Sequence, residues 1–204
     1  MRYRRADVAG GTYFFTVNLA DRSSRLLVAH IDDLRAAVRT VKQRHPFEIV
    51  AWVVLPEHMH AIWMLPEDDH DFSGRWSLIK SSFSRAIVRS DAVSASRAGK
   101  RERGIWQRRF WEHLIRDEID LQRHVDYVHI NPVKHGHVER ASDWPHSSIH
   151  RYIEAGWLTA DWAADIEGSG IGGERDRCLA MLGFPRIESG VSANLQNQQP
   201  PRLR

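Results

Sequence analysis

At 204 residues the chain is long enough for one domain with a real core and too short for two ordinary ones. Its 42% hydrophobic and 27% charged content is that of a soluble globular protein. No apolar run approaches membrane-spanning length, which excludes a bundle of transmembrane helices. The start, Met1-Arg2-Tyr3-Arg4-Arg5, lacks the apolar core of a signal peptide. A single cysteine, Cys178, leaves no intramolecular disulfide and fits a reducing cytoplasm. The formal net charge is only +3, but the basic residues cluster: Arg2, Arg4 and Arg5 at the start, then Arg97, Lys100, Arg101, Arg103, Arg108 and Arg109 mid-chain. Such clusters are the footprint of a phosphate-backbone binder, with a merely solvated basic loop as the alternative.

In chain order, Thr12 to Leu19 is predicted to be a strand, rich in aromatic and β-branched residues. Ile31, Leu34, Val38 and Val41 recur at helical spacing, with Asp32 and Asp33 in the first turn and a stop before Pro46. Glu48 to Leu55 is apolar on both faces and is expected to be a central strand. Pro56-Glu57 forms a turn, and His58 to Leu65 returns as a third strand. Phe72, Trp76, Ile79, Phe83 and Ile87 mark the apolar stripe of a second helix, with Arg75, Lys80, Arg85 and Arg89 off the stripe and free to meet phosphates. A basic, Ser/Ala-rich loop over 91–104 precedes a fourth strand, Ile105 to Ile115, irregular at Arg108-Arg109. Asp117 can cap a third helix running to about Asn131, where Pro132 bends or ends it. Short helical pieces extend to about Trp162, after the Asp143-Trp144-Pro145 turn. The division is one domain over 1–167 and a polar, flexible tail over 168–204. The order β-α-β-β-α-β is that of an α+β, ferredoxin-like split βαβ sheet, antiparallel, with an added helix.

Chemistry gathers at two places. In the strand from His58, successive side chains alternate faces, so His58 and His60 point the same way and can hold one divalent ion; packing residues are the alternative. On the third helix, Asp120, His124, Tyr127 and Asn131 form a polar row at spacings of four, three and four. A tyrosine oxygen can attack phosphorus to give a covalent phosphotyrosine, and a metal offsets its pKa of about 10. Asn131 offers an oxygen to complete a metal shell with His58 and His60. As alternatives, Tyr127 borders an apolar helix face and Asn131 ends a helix. His124, His129, His135 and His137 are expected at the surface or against nucleic acid.

Four stretches occur in order: Gly10-Gly11-Thr12-Tyr13-Phe14-Phe15-Thr16-Val17-Asn18, Leu55-Pro56-Glu57-His58-Met59-His60, Ile105-Trp106-Gln107-Arg108-Arg109-Phe110-Trp111-Glu112-His113, and Asp126-Tyr127-Val128-His129-Ile130-Asn131-Pro132-Val133-Lys134-His135-Gly136. Together they closely resemble the REP-associated tyrosine transposases of the single-tyrosine HUH nuclease superfamily. The likeness runs from about Met1 to about Trp162. It implies that His58 and His60 are the metal-binding HUH pair, that Tyr127 is the catalytic tyrosine, and that Asn131 stands where relatives place a third polar ligand. It further implies Mg2+ or Mn2+ as cofactor. The implied substrate is single-stranded DNA with repetitive extragenic palindrome (REP) hairpins, cleaved and rejoined through a 5′-phosphotyrosine. Arg2, Arg4, Arg5, Arg75, Lys80, Arg101, Arg103, Arg108, Arg109 and Lys134 are the expected DNA contacts. A nucleoid-associated cytoplasmic location and a monomer are expected, with a dimer the alternative. Two rival functions are a catalytically idle hairpin-binding protein and a metal-dependent hydrolase without a covalent intermediate.

Overall fold

A computed structural model describes residues 8–90 and 104–162. Arg2, Arg4, Arg5, Arg101, Arg103 and the expected tail over 168–204 lie outside the described residues. The chain divides into two compact units, residues 1–128 and 129–204.

In the first unit four strands form one sheet: β1 (Thr12–Asn18), β2 (Glu48–Val54), β3 (His58–Met64) and β4 (Trp111–Leu114). Their order is β2-β3-β1-β4, and each neighbouring pair is antiparallel. Three helices lie within this unit, α1 (Leu26–Ala29), α2 (Ile31–Arg44) and α3 (Phe72–Ser90), and α4 (Glu118–Lys134) begins in it and ends in the second unit. This is the expected ferredoxin-like order with α4 added.

Alternation along β1 and β3 divides the sheet into two faces. Tyr13, Phe15 and Val17 of β1, with Met59, Ala61 and Trp63 of β3, join the buried apolar cluster built with α2 and α3. Leu34, Val38 and Val41 enter it from α2, and Phe72, Trp76, Ile79, Phe83 and Ile87 from α3. Trp63 and Trp76 stack there at 4.1 Å between ring centroids and 17° between planes. The other face presents Phe14 and Thr16 of β1 opposite Ile62 and His60 of β3.

Local chemistry sets the boundaries. Asp71 caps α3, accepting from the Gly74 amide at 2.7 Å, and Asp117 caps α4, accepting from the Asp120 amide at 2.8 Å. Gly10 turns the chain into β1 at φ +69°, its amide donating to the Asp69 carbonyl at 3.0 Å; a Cβ there would meet the Glu67 backbone at 3.1 Å.

Three expectations are corrected. β2, although apolar, is an outer strand among the described residues; Val50 and Trp52 are only half-buried, and hydrophobic content alone does not rank strands within a sheet. The fourth strand keeps only Trp111–Leu114, and the stretch before it touches the sheet through an isolated bridge between Leu19 and Trp106. Helix α4 continues past Asn131 to Lys134 with Pro132 inside it.

In the second unit a 3-10 turn at Ala141–Asp143 and α5 (Ile149–Glu154) surround a small core with Ala141 and Ile149 buried. His129 is fully buried there, Nε2 lying 2.9 Å from the Ser148 hydroxyl and its ring against Tyr152 at 4.6 Å. It is not a surface residue: the apolar rows of the helix were read without the elements that follow it. Burial, then Arg151 and His150, push its pKa down to about 3, so it stays neutral.

Candidate active site

His58 and His60 are each 3% exposed and share one face of β3, their ring centroids 5.0 Å apart. Each ring is oriented through Nδ1. His58 Nδ1 donates to Glu57 Oε1 at 2.7 Å, and Thr16 Oγ1 lies 2.9 Å from His60 Nδ1. Burial raises the Glu57 carboxyl, but His58 and Arg22 outweigh it and hold the group below its usual range, so it is an ionised acceptor. A donating Nδ1 leaves the lone pair on Nε2, the tautomer that a metal requires, and the hydroxyl of Thr16 can accept in the same way at His60. Sequence reasoning saw Glu57 only as a turn residue; its place beside the first histidine of a His-x-His strand was the signal to read.

Tyr127 reaches this face from α4. Its ring lies 5.1 Å from His60 at 72° and 5.8 Å from Phe14 at 71°. Phe14 also contacts His60 at 5.4 Å and His124 at 4.8 Å. The strand register explains this placing: Phe14 pairs with Ile62 and Thr16 with His60, so all four lie on the face away from α2 and α3. The structure thus brings His58, His60 and Tyr127 together.

Asn131 belongs to the second unit. It is fully buried, and neither its amide oxygen nor its amide nitrogen has a hydrogen-bond partner among the described residues. A buried amide left unbonded costs roughly 1–3 kcal/mol, which an ion or ligand on its oxygen would offset. The two buried imidazoles of the first unit, each bonded through Nδ1, fit a divalent metal chemically through their Nε2 atoms.

Below Tyr127 on α4 stands a polar cluster. His113 Nε2 lies 2.8 Å from Asp120 Oδ2, and His124 Nδ1 lies 3.1 Å from Asp120 Oδ1. Potential ligand atoms of these three side chains all lie within 4.8 Å, a group that can hold a metal ion. Helical spacing puts His124 in the row with Tyr127 but carries no signal for His113, which comes from β4. His124 is therefore half-buried in a bonded cluster rather than free at the surface. Asp126, adjoining Tyr127 in sequence, is 4% exposed; burial pushes its carboxyl up to about 6 despite a hydrogen bond from Gln122 at 2.9 Å.

The basic residues divide. Arg75 is 2% exposed, its guanidinium paired with Asp69 at 2.6 Å and bonded to the carbonyls of His45, Pro46 and Asp71. That corrects its expected role at phosphates: it ties α3 to the end of α2. Lys80 reaches over Trp106 and Phe110, 5.6 and 5.3 Å from the ring centroids, beside a cleft of about 400 Å³ lined by Ser73, Ser77, Ser81, Ser84 and Arg108. Arg108, Arg109 and Lys134 are exposed. Among the described residues no helix is long and apolar enough to cross a membrane.

No protein-family model matches the chain. Among curated proteins it is 52% identical, over 164 residues, to the REP-associated tyrosine transposase of Escherichia coli K12, covering 80% of this chain and 92% of that one. It is 44% identical over 164 residues to a putative REP-associated tyrosine transposase of Haemophilus influenzae, covering 80% and 93%. A solved structure of a REP-associated tyrosine transposase bound to a REP hairpin superposes with a TM-score of 0.73 at 50% identity, covering 86% of this chain and 98% of that one.

Proposed function

The chain belongs to the REP-associated tyrosine transposases, and from that membership we propose that it is a metal-dependent single-stranded DNA endonuclease and transposase, cleaving and rejoining DNA beside REP-type hairpins. One observation carries the reading: the Tyr127 ring lies 5.1 Å from that of His60, on the sheet face that also carries His58. A nucleophile beside a metal-binding pair is the arrangement that phosphoryl transfer needs.

Tyr127 is the nucleophile. Its phenolic oxygen bonds to the scissile phosphorus as the bond from phosphorus to the 3′ oxygen breaks. The products are a 5′-phosphotyrosine and a free 3′-OH, with the tyrosine proton balanced by the one the 3′ oxygen gains. Ester exchange keeps the bond energy, so a 3′-OH attacking the same phosphorus reverses the step and rejoins the strand. His58 and His60, through Nε2, are the residues that would hold Mg2+ or Mn2+, with Asn131 as the third ligand that the family likeness implies. The bound ion would supply Lewis-acid polarisation of the phosphate. Glu57 and Thr16 keep the imidazoles in the ligand tautomer.

The hairpin is the proposed substrate because the matched relative is solved on one. Exposed Arg108, Arg109 and Lys134, with Lys80, would meet its phosphates, together with the basic residues outside the described segments. The proposed working form is a monomer at the nucleoid in the cytoplasm. Replacing Tyr127 by Phe removes only the attacking oxygen. That variant should bind hairpin DNA as the parent does and fail to nick it; undiminished nicking would contradict the assignment.

A further inference from the structure

The mechanism leaves Asp120, His113, His124 and Phe14 without a task, yet they form one continuous chain of contacts. Asp120 accepts on Oδ2 from His113 Nε2 at 2.8 Å and from the Arg116 amide at 3.1 Å. On its other oxygen it faces His124 Nδ1 at 3.1 Å, and the same nitrogen lies 2.8 Å from the Asp120 carbonyl. The His113 and His124 rings stack at 4.6 Å and 16°. One carboxylate thus pins β4, which carries His113, to the first turns of α4. Seven residues are nearly two full helical turns, so Asp120 and Tyr127 lie on one side of α4, with His124 between them. The chain then passes sideways. His124 packs on Phe14 at 4.8 Å, and Phe14 touches both His60 at 5.4 Å and Tyr127 at 5.8 Å.

We propose that Asp120, His124 and Phe14 are positioning residues that set the approach of Tyr127 to the His58–His60 pair. The inference rests on Tyr127 being the nucleophile. In-line attack tolerates little error: displacement of a reacting atom by about 1 Å costs on the order of 100-fold in rate. α4 needs such a brace, because nothing covalent fixes its rotation. The Phe14 ring packs against both the His60 ring and the Tyr127 ring, which touch each other at 5.1 Å, and its bulk limits how the two can tilt together. Burial, chiefly, holds the His124 imidazole below its usual pKa, so the ring on Phe14 is neutral. An ion is not needed to explain the cluster. The nitrogens facing Asp120 act as hydrogen-bond donors to its carboxylate, at 2.8 Å from His113 and 3.1 Å from His124.

The test measures two quantities on the full chain with hairpin single-stranded DNA and Mn2+: the single-turnover cleavage rate and hairpin affinity. D120N and F14L should each lose about 10- to 100-fold in rate while affinity stays within about 2-fold. The double variant should lose little more than the slower single, since both break one chain of contacts. Rates near the parent's, losses that multiply, or losses matched by weaker hairpin binding would each overturn the inference. So would a Mn2+ or Zn2+ thermal shift in the H58A/H60A protein that disappears when D120N is added, because the cluster would then be an ion site. F14L keeps an apolar side chain at the position, so the test stands if D120N fails to fold. Y127F separates the two levels. If it still cleaves, the nucleophile assignment fails; if it is dead while D120N and F14L cleave normally, only the positioning role fails.

Discussion

The two faces of the sheet are made from the same strands and do opposite things. Toward α2 and α3, Tyr13, Phe15, Met59 and Trp63 meet Trp76, Phe72 and Phe83 in an interior with exposures of 3% or less. Toward Tyr127, one residue along each strand, Phe14, Thr16, His58 and His60 belong to a face that holds two buried, hydrogen-bonded imidazoles among its apolar groups. The first face supplies stability through buried apolar area; the second spends some of it to hold imidazoles dry and oriented. A slip of one residue in register would exchange the two. The apolar face is therefore what keeps the site in register.

That contrast can be broken experimentally, starting with the largest effect. Trp63→Ala removes a ring stacked on Trp76 and tilted against Phe47 and should cost about 3–5 kcal/mol in denaturant unfolding. His60→Ala on the opposite face should cost far less stability and abolish nicking. Equal stability losses would dissolve the division between faces.

Next comes Asp126, raised from an ordinary 3.8 to about 6 by burial. A carboxyl with a raised folded pKa contributes stability fully present below the unfolded value and lost as pH rises through the folded one. The parent should thus lose up to about 3 kcal/mol between pH 4 and 7 from this group. Asp126→Asn should not lose it, so the gap in stability favouring the variant should widen over that window. His129 works in the other direction, neutral and losing stability as pH falls from 6.5 toward 3, but both proteins share it. A gap constant with pH would show Asp126 to be ionised and satisfied.

Glu57→Gln should raise the Mn2+ concentration needed for nicking by about 10- to 100-fold, as loss of a carboxylate partner does for metal-bound histidines. An unchanged metal requirement would leave Glu57 as a turn residue. Smallest is Arg108→Ala, expected to weaken hairpin binding by a few-fold and lower its salt dependence by about one unit of slope. A salt slope equal to the parent's would remove Arg108 from the phosphate contacts.

Much of this was legible because it depends on period. Alternation placed His58 and His60 on one face, helical spacing put Tyr127 one turn past His124, and the element order matched the sheet found. What escaped depended on partners distant in the chain. Arg75 was set among the DNA contacts because it lies off the apolar stripe; Asp69 and three carbonyls fold in around it. His113 gained its meaning from Asp120 across a strand-to-helix turn, and Phe14 from a register that only pairing fixes. The edge position of β2 was hidden because hydrophobicity reports burial and says nothing about neighbours. Asp126 beside the proposed nucleophile was passed over because a single Asp on a helix ordinarily faces water.

The central claim is that Tyr127 attacks phosphorus. Hairpin single-stranded DNA is incubated with the protein and Mg2+ or Mn2+, denatured, and the protein examined for covalently attached DNA, with the modified residue mapped by mass spectrometry. A phosphodiester to a 5′ end at Tyr127, absent from Tyr127→Phe, is the expected result. Cleaved DNA with no adduct, or equal cleavage by Tyr127→Phe, would contradict it and make water the nucleophile.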